Sequence, residues 1–521
     1  MHTLWFTAVV VAAACACRDV TDMAITKTSP AKWVWMGALT SSSIRIRAST
    51  AFQDPACDPA KVSLYVHPSP APESGETHGR RVAGMRQQMN PTTTLHDFQA
   101  HDLVPGNNVA FDIRYDNSPI WTPKTTRHVQ LPPPKGTPFS FQFAFSSCAD
   151  EDSDPEVFHD IRRQDPLFFV HMGDLHYANL EVNDVGAFRG AYESMFASPA
   201  GQAMLGMELP MAYMWDDHDY GPDNSDATAP GRNASLQAYR EYTPHYPLQN
   251  PYVRVVSRES EHASEDLMNA IQQTFTIGRV HFIMTDLRSQ RTPNLDQDVP
   301  TKTILGPAQK QWFKDELRRA STSPDIALIV WVNTMPWHDD ERKWGHFTHE
   351  QAEVVAVVRD LDTAAVPLVI ISGDAHMLAV DDGTHSPGGL PVFHAAALGR
   401  PGSIKGGPYS HGAFPGSGQF GIMRVSDDGQ RVCLHFSGRR GVDQVIAYDT
   451  CDPASTPGEP YIPPSKIVRV ATRMWKKTLS RLETRWKKVK FQSVALFLAL
   501  LLGVTAVSVV VRRMQPRAKR D

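Results

Sequence analysis

The sequence predicts an α/β fold that is preceded by a small all-β domain and followed by one transmembrane helix. Three observations support this prediction. Apolar, strand-like runs alternate with helical stretches after residue 139, short alternating strands fill the N-terminal region, and residues 491–511 carry no charge. At 521 residues the chain is longer than one hydrophobic core usually organises, so we expect more than one domain.

The N-terminal domain, residues 24–131, is expected to be a β-sandwich. Residues 43–47 and 109–115 alternate apolar and polar side chains, as half-buried strands do. Turns containing Pro and Gly separate the short strands, which is typical of a sandwich. The Pro-rich stretch 131–138 is then expected to be a linker.

Residues 139–448 are expected to form the α/β domain. Six apolar runs predict its strands: 139–145, 167–171, 211–215, 280–285, 326–332 and 367–372. Residues 309–320 and 350–361 have the pattern of helices. Two further runs predict a hairpin around the turn Asp427-Asp428-Gly429.

Both ends of the chain have the character of targeting or membrane segments. Residues 1–17 predict a cleaved signal peptide, although no positive residue precedes the apolar run, and a frayed apolar terminus is the alternative. Residues 491–511 are long enough to span a bilayer, and a short basic tail follows at 512–521. The predicted topology is single-pass type I, with the main domains at the cell surface or in the secretory-pathway lumen. On a eukaryotic secretory route Asn233, in the sequon Asn233-Ala234-Ser235, would be glycosylated.

The stalk before the membrane, residues 452–490, is Pro-rich and then basic. Residues 466–521 carry fifteen Lys/Arg and two acids, which leaves −17 for the rest of a chain whose formal charge is −4. Because many of these basic residues precede the predicted span, the positive-inside rule favours the opposite topology, with the main domains in the cytosol. A basic amphipathic helix on the membrane surface and a solvated stalk both fit the stretch. The acidic body argues against nucleic-acid binding.

The six cysteines divide between the predicted signal peptide and the main domains, where an oxidising compartment would allow disulfides. Cys15 and Cys17 are expected to leave with the signal peptide or to lie at its edge. Cys433 and Cys451 form a plausible disulfide pair. Two cysteines remain, Cys57 and Cys148.

Three clusters of acidic and histidine residues follow apolar runs. They are Gly173-Asp174-Leu175-His176-Tyr177, Trp215-Asp216-Asp217-His218-Asp219 and Ser372-Gly373-Asp374-Ala375-His376. Such a pattern is typical of buried strands that deliver ligands at their carboxyl ends. Two adjacent metals can neutralise phosphate oxygens and generate a nucleophile. The three clusters therefore predict a multi-metal hydrolytic site.

Each cluster also has an ordinary structural interpretation. Asp174 can bridge two metals because a small glycine precedes it, or it can cap a helix. Asp217 and His218 can supply a metal ligand and a general acid, or they can form an exposed acidic turn. Asp374 and His376 lie two residues apart and face one side if extended; the alternative is a turn with a buried histidine.

These motifs resemble those of the PhoD-like alkaline phosphatases, a branch of the calcineurin-like metallophosphoesterases. The resemblance runs from about residue 25 to 445 and includes a further motif, Ser146-Ser147-Cys148. Three other stretches are also similar: 285–291, 344–347 and 405–416. The resemblance implies a metallophosphoesterase-type β-sandwich core flanked by helices, with a fibronectin- or Ig-like domain before it. It also implies that a metal-activated hydroxide attacks the phosphorus of a phosphate monoester or diester.

The resemblance implies Fe(III) and Ca(II) as cofactors, with another divalent pair as the alternative. Thiolate and phenolate suit ferric iron, and oxygen ligands suit calcium. The metal ligands carried over by motif are Cys148, Asp174, Tyr177, Asp217, Asp374 and His376. Asp174 would bridge the iron side to calcium, and either Asp223 or Asn224 is a further possible ligand. A core cysteine and a core aromatic are the alternatives for Cys148 and Tyr177.

His218 and Arg288 are the candidate catalytic residues. His218 would lie near the leaving group, and the forked guanidinium of Arg288 could grip two phosphate oxygens, although a surface ion pair is its alternative. Three residues are expected to support the ligands or the fold: His171, Asp216 and Asp219. Four histidines are assigned to the surface or rim: His159, His338, His346 and His349.

The predicted partners are a small phosphate-ester substrate and, through the C-terminal helix, membrane lipid. Nucleic acid is not expected. The alternative function is a catalytically reduced surface-binding module on the same scaffold. The intact acidic and histidine residues of the three clusters argue against it.

Overall fold

Three β-sheets and the helices that cover them organise the part of the chain that the structure describes. The computed structural model describes residues 17–23, 29–69, 79–122, 128–249, 270–338, 340, 342–361 and 366–451. The predicted stalk, membrane span and basic tail at 452–521 lie outside these residues, as do residues 1–16. The chain divides into units 1–459 and 460–521, and the described residues belong to the first. Within them, no helix has both the length and the apolar character needed to cross a membrane.

The strands and helices have the following bounds. The strands are β1 Ala31–Gly37, β2 Ile44–Ala51, β3 Val62–Ser69, β4 Arg80–Ala83, β5 Met85–Gln88, β6 Thr93–Ala100, β7 Asn108–Tyr115, β8 Ser118–Trp121, β9 Val129–Gln130, β10 Phe141–Ser146, β11 Phe169–Met172, β12 Met211–Met214, β13 Gln273–Ile277, β14 Val280–Met284, β15 Leu328–Asn333, β16 Leu368–Ser372, β17 Met377–Asp381, β18 Val392–Ala395, β19 Ala413–Pro415, β20 Gln419–Asp427, β21 Val432–Arg440 and β22 Asp443–Cys451. The α-helices are α1 Arg18–Thr21, α2 Glu156–Arg163, α3 Val185–Ala197, α4 Pro199–Leu205, α5 Asp217–Tyr220, α6 Arg232–Tyr242, α7 Gly306–Ser321 and α8 Thr348–Asp360. Short 3-10 turns lie at Pro59–Lys61, Trp344–His346 and Pro387–Gly389.

The first sheet has ten strands in the order β22-β21-β20-β10-β11-β12-β1-β2-β6-β5. Its central strands β10, β11 and β12 are parallel, and β1 joins β12 in parallel through Gly37 and Met211. Gly37 permits this junction, because a Cβ there would lie 2.6 Å from the carbonyl oxygen of Met211. Strands of the predicted N-terminal domain, 24–131, therefore share a sheet with the α/β domain, an arrangement that the predicted division into domains does not describe.

The second sheet has seven strands in the order β13-β14-β15-β16-β18-β17-β19, and β14, β15, β16 and β18 are parallel. It packs on the first sheet through aromatic side chains. Phe143 of β10 lies 5.3 Å from Phe282 of β14, measured between ring centroids. A smaller third sheet, β4-β3-β7-β8 with β9 on β7, completes the N-terminal region.

The predicted elements of the α/β domain agree with the structure. The helices predicted at 309–320 and 350–361 are α7 and α8, and the predicted hairpin is β20 and β21. The Pro-rich stretch 131–138 packs against the α/β domain. Leu131 is buried, and the backbone N–H of Gly136 donates to the carbonyl oxygen of Gly278 at 3.0 Å.

The cysteine pairing corrects one prediction. Cys17 does not leave with the signal peptide, because it forms a disulfide with Cys57 and is buried. A cut after Ala16 would keep Cys17 in the folded chain, so a signal peptide would end no later than residue 16. A second disulfide joins Cys433 to Cys451, which are paired across β21 and β22.

Candidate metal centre

The candidate site lies where parallel strands of both large sheets end. Cys148, Asp174 and Asp374 each lie two residues beyond the last residue of a strand: β10, β11 and β16 respectively. All three have positive φ angles, of 62°, 53° and 65°. Positive φ is uncommon for residues other than glycine, and such strained positions cluster at functional sites. The convergence of three of them marks this edge of the fold as the candidate site.

Two glycines make the close approach of these turns possible. A Cβ on Gly173 would lie 2.4 Å from the backbone nitrogen of Asp216. A Cβ on Gly373 would lie 2.6 Å from the hydroxyl oxygen of Ser147. Since neither position has room for a side chain, the turns after β11 and β16 can pack directly against neighbouring strand ends.

Asp174 occupies the centre of the site. Its Oδ2 accepts a hydrogen bond from the Tyr177 hydroxyl at 3.0 Å and lies 3.4 Å from the Cys148 sulfur. Its Oδ1 accepts from the backbone N–H of His218 at 3.3 Å. The two oxygens of one buried carboxylate therefore face two different sets of donors. This is the arrangement that a ligand bridging two metals needs.

Two overlapping groups of side chains have the geometry of a metal site. One ligand atom from each of Asp174, Asp217 and His218 lies within 4.8 Å of the others, and the same holds for Asp216, Asp217 and Asp374. All four carboxylates are buried. Asp217 belongs to both groups, so the two groups of ligand candidates are adjacent.

Cations balance some of these carboxylates. Arg288 donates through Nε to Asp216 Oδ1 at 2.5 Å, and its Nη2 lies 3.4 Å from Asp217 Oδ1. Lys343 donates to Asp374 Oδ1 at 2.8 Å, and Lys405 lies 3.3 Å from the same oxygen. Among the described residues no Lys or Arg forms an ion pair with Asp174.

The pKa shifts follow this distribution of charge. Burial raises the pKa of Asp174 well above its usual value, and repulsion by Asp217 and Asp216 raises it further. Burial also acts on Asp374, but Lys343 and Lys405 outweigh it and hold the pKa of that carboxyl well below its usual range. Asp174 is therefore the carboxylate whose ionised form most needs an added cation.

Asp219 holds the turn that carries Asp174. Its carboxylate accepts backbone hydrogen bonds from Asp174 at 2.5 Å, Leu175 at 2.6 Å and His176 at 3.3 Å. Burial raises its pKa to about 6 in spite of these bonds. With its oxygens engaged by the backbone, Asp219 supports the fold, in line with the role expected for it.

His218 lies beside Asn179 and Tyr177. Its Nδ1 is 2.5 Å from Asn179 Oδ1, and its ring centroid is 4.0 Å from that of Tyr177. Of the two further ligand candidates, Asn224 donates its backbone N–H to Asp217 Oδ2 at 2.7 Å, whereas Asp223 has a 65% exposed side chain 3.6 Å from His218 Nε2. The backbone of Asn224 is thus held against a carboxylate of the site, while its side-chain amide donates to Asp223 Oδ2 at 2.7 Å.

Three other predicted residues lie outside the two groups of ligand candidates. His376 belongs to neither group of ligands, and its Nδ1 lies 2.7 Å from the carbonyl oxygen of Pro401, which leaves Nε2 for a metal. Arg288 has no exposed surface and pairs with Asp216 and Asp217, so a surface ion pair does not describe it, whereas its predicted phosphate grip stays a prediction. His171 is also buried, and burial lowers its pKa to about 3, so it is a neutral core residue.

The four histidines assigned to the surface or rim fall into two groups. His159, His346 and His349 are exposed or half-buried. The assignment is wrong for His338, which is 1% exposed and lies 3.6 Å from the buried carboxylate of Asp381. The turn after β15 carries it inward.

Three polar residues of the site were missed in the sequence. Lys343 and Lys405 contact Asp374, and Asn179 contacts His218. Lys343 directly precedes the 344–347 stretch, and Lys405 is the first residue of the 405–416 stretch. Asn179 follows Tyr177 by two residues. That proximity was the available signal, but lysine and asparagine are not characteristic metal ligands.

The residues fit a pair of bound metals. Buried carboxylate atoms are left without hydrogen bonds within the described part of the chain, namely Asp217 Oδ1 and Asp216 Oδ2. Leaving such atoms unpaired is costly unless a cation is present. A buried thiol and a phenol lie on one side of Asp174, and carboxylates lie on the other. Two stacked sheets with this donor set at their strand ends define the class of metal-dependent phosphoester hydrolases.

Comparison with known proteins agrees. Residues 143–395 match the PhoD-like phosphatase family, so this domain belongs to the PhoD-like phosphatases, and the chain is a phosphoric ester hydrolase. The solved structure described as "Structure of PhoD" aligns with a TM-score of 0.61 at 15% identity, covering 81% of this chain and 89% of that chain. A β-glucuronidase from glycoside hydrolase family 2 aligns at 9% identity over 80% of this chain and 49% of that chain, with a TM-score of 0.22, too low to indicate a shared fold. No curated protein matches the chain at a significant level.

Proposed function

We propose that the chain hydrolyses phosphate monoesters or diesters and that the residues around Asp174 would hold Fe(III) and Ca(II). The observation that carries the proposal is the division of Asp174 between two donor sets. Cys148 and Tyr177 approach Oδ2, and the backbone of His218 approaches Oδ1. A sulfur and a phenol next to one oxygen favour ferric iron there. The carboxylates Asp217 and Asp374 offer the oxygens that calcium prefers.

When bound, the two cations would neutralise phosphate oxygens and activate the attacking water. The protein residues would prepare the site for this chemistry. Lys405 keeps an 18% exposed side chain next to Asp374, so it can meet an anionic substrate at the mouth of the site. His218 lies beside Asn179, which fixes its ring so that Nε2 is available to protonate the leaving group.

We propose further that this domain is extracytoplasmic and anchored by residues 491–511. Two disulfides, Cys17–Cys57 and Cys433–Cys451, support an oxidising compartment, since such bonds are rare in the cytosol of most organisms. Glycosylation of Asn233 in a eukaryotic secretory host would support the same topology, because the side chain is exposed on α6. Accessibility to protease tests it: the domain should be cleaved on intact cells or protected inside sealed vesicles of the secretory pathway, and a domain that protease reaches from the cytosolic side would contradict the proposal.

Metal content and spectra test the two-sided site. The Tyr177→Phe variant should lose the visible phenolate-to-iron absorption and keep its calcium, whereas Asp217→Asn should lose calcium and keep that absorption. Asp174→Ala should lose both metals, because both sides depend on it. The matched control is Asp360→Ala, an exposed carboxylate at the end of α8.

Activity is measured on paired monoester and diester substrates with and without chelator. We expect chelation and Asp174→Ala each to abolish hydrolysis of both substrates. Activity that survives chelation, or full activity in Asp174→Ala, would exclude the proposed chemistry. Loss of hydrolysis in Asp360→Ala would show that the assay reports folding instead of the site.

A further inference from the structure

A cleft rich in arginine lies where the first sheet ends in β2, β6 and β5. A cleft of about 710 Å³ is bounded by β2, β5 and β6 on one side and by α6 on the other. None of the residues of the candidate metal centre lines it. Five of its lining residues are arginines: Arg45, Arg47, Arg86, Arg232 and Arg240. Its volume lies within the range of small-molecule sites.

The acidic residues of the cleft do not cancel this charge. Asp97 is engaged by Arg45 through two bonds of 2.8 Å, and Arg47 lies 3.3 Å from it. Glu241 is engaged through two bonds of 2.7 Å by Arg189, which is not a cleft residue. Both carboxylates are therefore committed to particular guanidinium groups, and among the described contacts neither bonds to Arg86 or Arg232.

The positions of two exposed arginines serve no evident structural purpose. Arg86 is exposed on β5, and Arg232 is the first residue of α6, where the helix dipole disfavours a positive charge. Arg232 donates to the carbonyl oxygen of Ala227, a contact that many polar side chains could make. Deeper in the cleft Arg47 is 9% exposed, and burial together with repulsion by Arg45 lowers its pKa to about 10. Positive charges are thus crowded at a cost that a bound anion would relieve.

We infer that this cleft binds a polyanion carrying several phosphate or sulfate groups, either free in solution or as a lipid headgroup. Guanidinium groups pair with phosphate and sulfate oxygens through two parallel hydrogen bonds, so arginines on two walls suit more than one anionic group. The cleft is cationic, whereas the chain outside residues 466–521 is acidic, with a formal net charge of −17. The inference is independent of hydrolysis at the metal centre.

Calorimetric titration of the full chain with inositol hexasulfate, which has no phosphate ester to hydrolyse, tests the inference. The inferred site belongs to the chain without a glycan on Asn233, because that residue lines the cleft; the titrated chain therefore carries Asn233→Gln. The test variant is Arg86→Glu with Arg232→Glu, and the matched control is Arg359→Glu, which is exposed on α8 away from the cleft. Thermal unfolding of each variant confirms the fold. A parallel arm uses phosphatidylcholine vesicles with and without phosphatidylinositol bisphosphate.

The double variant should weaken inositol hexasulfate binding about 100-fold, roughly tenfold for each lost charge pair. Arg359→Glu should leave it within about twofold, since an exposed charge elsewhere contributes little. Binding of inositol hexasulfate that the double variant removes supports a site that is open to free polyanions. Binding only to vesicles that contain the bisphosphate, again removed by the double variant, assigns the site to a lipid headgroup. Absence of binding in both arms, or equal binding by the double variant, would overturn the inference.

Discussion

Replacing Gly173 by alanine should separate the turn that carries Asp174 from the neighbouring strand end. The added Cβ would lie 2.4 Å from the backbone nitrogen and 2.5 Å from the Cβ of Asp216. Ordinary contacts need about 3.5 Å, so the turn must move by about 1 Å, because the opposing atoms are mostly backbone. The φ of +88° adds about 1–2 kcal/mol for any residue with a Cβ. With overpacking of about 1–3 kcal/mol, we expect a destabilisation of about 2–5 kcal/mol.

The same displacement should also impair catalysis, since an error of about 1 Å in placement can cost about 100-fold in rate. The assay compares unfolding free energy in denaturant, bound metal and kcat/KM. The control is Gly190→Ala in the middle of α3, where an added Cβ meets nothing within 4 Å. This control should stabilise the protein by about 0.5–1 kcal/mol and leave activity unchanged. Wild-type stability and metal content in Gly173→Ala would refute the packing argument.

Three further predictions concern the support of the fold. Asp219→Ala should destabilise the protein by at least about 3 kcal/mol and release metal, because the buried N–H groups of Asp174, Leu175 and His176 lose their acceptor. Denaturation together with metal analysis measures this effect. An unchanged unfolding midpoint would contradict it. His96 is buried with its pKa lowered to about 4 by burial and by Arg86, so its stabilising contribution is present above pH 6.5 and is lost as the pH falls toward 4. The wild type should therefore lose about 2 kcal/mol more than His96→Gln between about pH 7.5 and 5, and parallel slopes would contradict the assignment. Reduction of the Cys433–Cys451 bond, or its removal by double serine substitution, should lower the free energy of unfolding by about 3 kcal/mol, because the bond closes a loop with a sequence separation of 18. An unchanged melting temperature would contradict this.

The positions of the central acidic residues could be predicted because they depend on local sequence. An apolar run ending in Gly-Asp specifies a buried strand and a tight turn, and parallel strands bring such turns to the same edge. Asp217 therefore lies close to Asp174 in one group of ligand candidates and close to Asp374 in the other, as the motifs indicate. The hairpin at 427–429 and the two helices of the second sheet follow from equally local patterns.

Other features depend on contacts between distant segments, which no local pattern encodes. The pairing of Gly37 with Met211 joins residues far apart in the chain. Arg288 follows the end of β14, a position from which burial could not be inferred. It is buried because it pairs with Asp216 and Asp217, which follow a strand of the other large sheet. Cys17 stays in the fold because Cys57 is within reach. In each case a partner that is distant in the sequence decides whether the residue is paired or buried.

The distribution of charge explains why the site is organised around Asp174. Lys343 and Lys405 neutralise Asp374, and Arg288 neutralises Asp216 and approaches Asp217. These pairs allow several carboxylates to be buried together without a metal, which would otherwise be strongly unfavourable. Asp174 has no such pair among the described residues, although Asp219 fixes its backbone. The fold therefore holds this carboxylate in place and leaves its charge for bound cations, so metal binding should stabilise the folded state most strongly through this one residue.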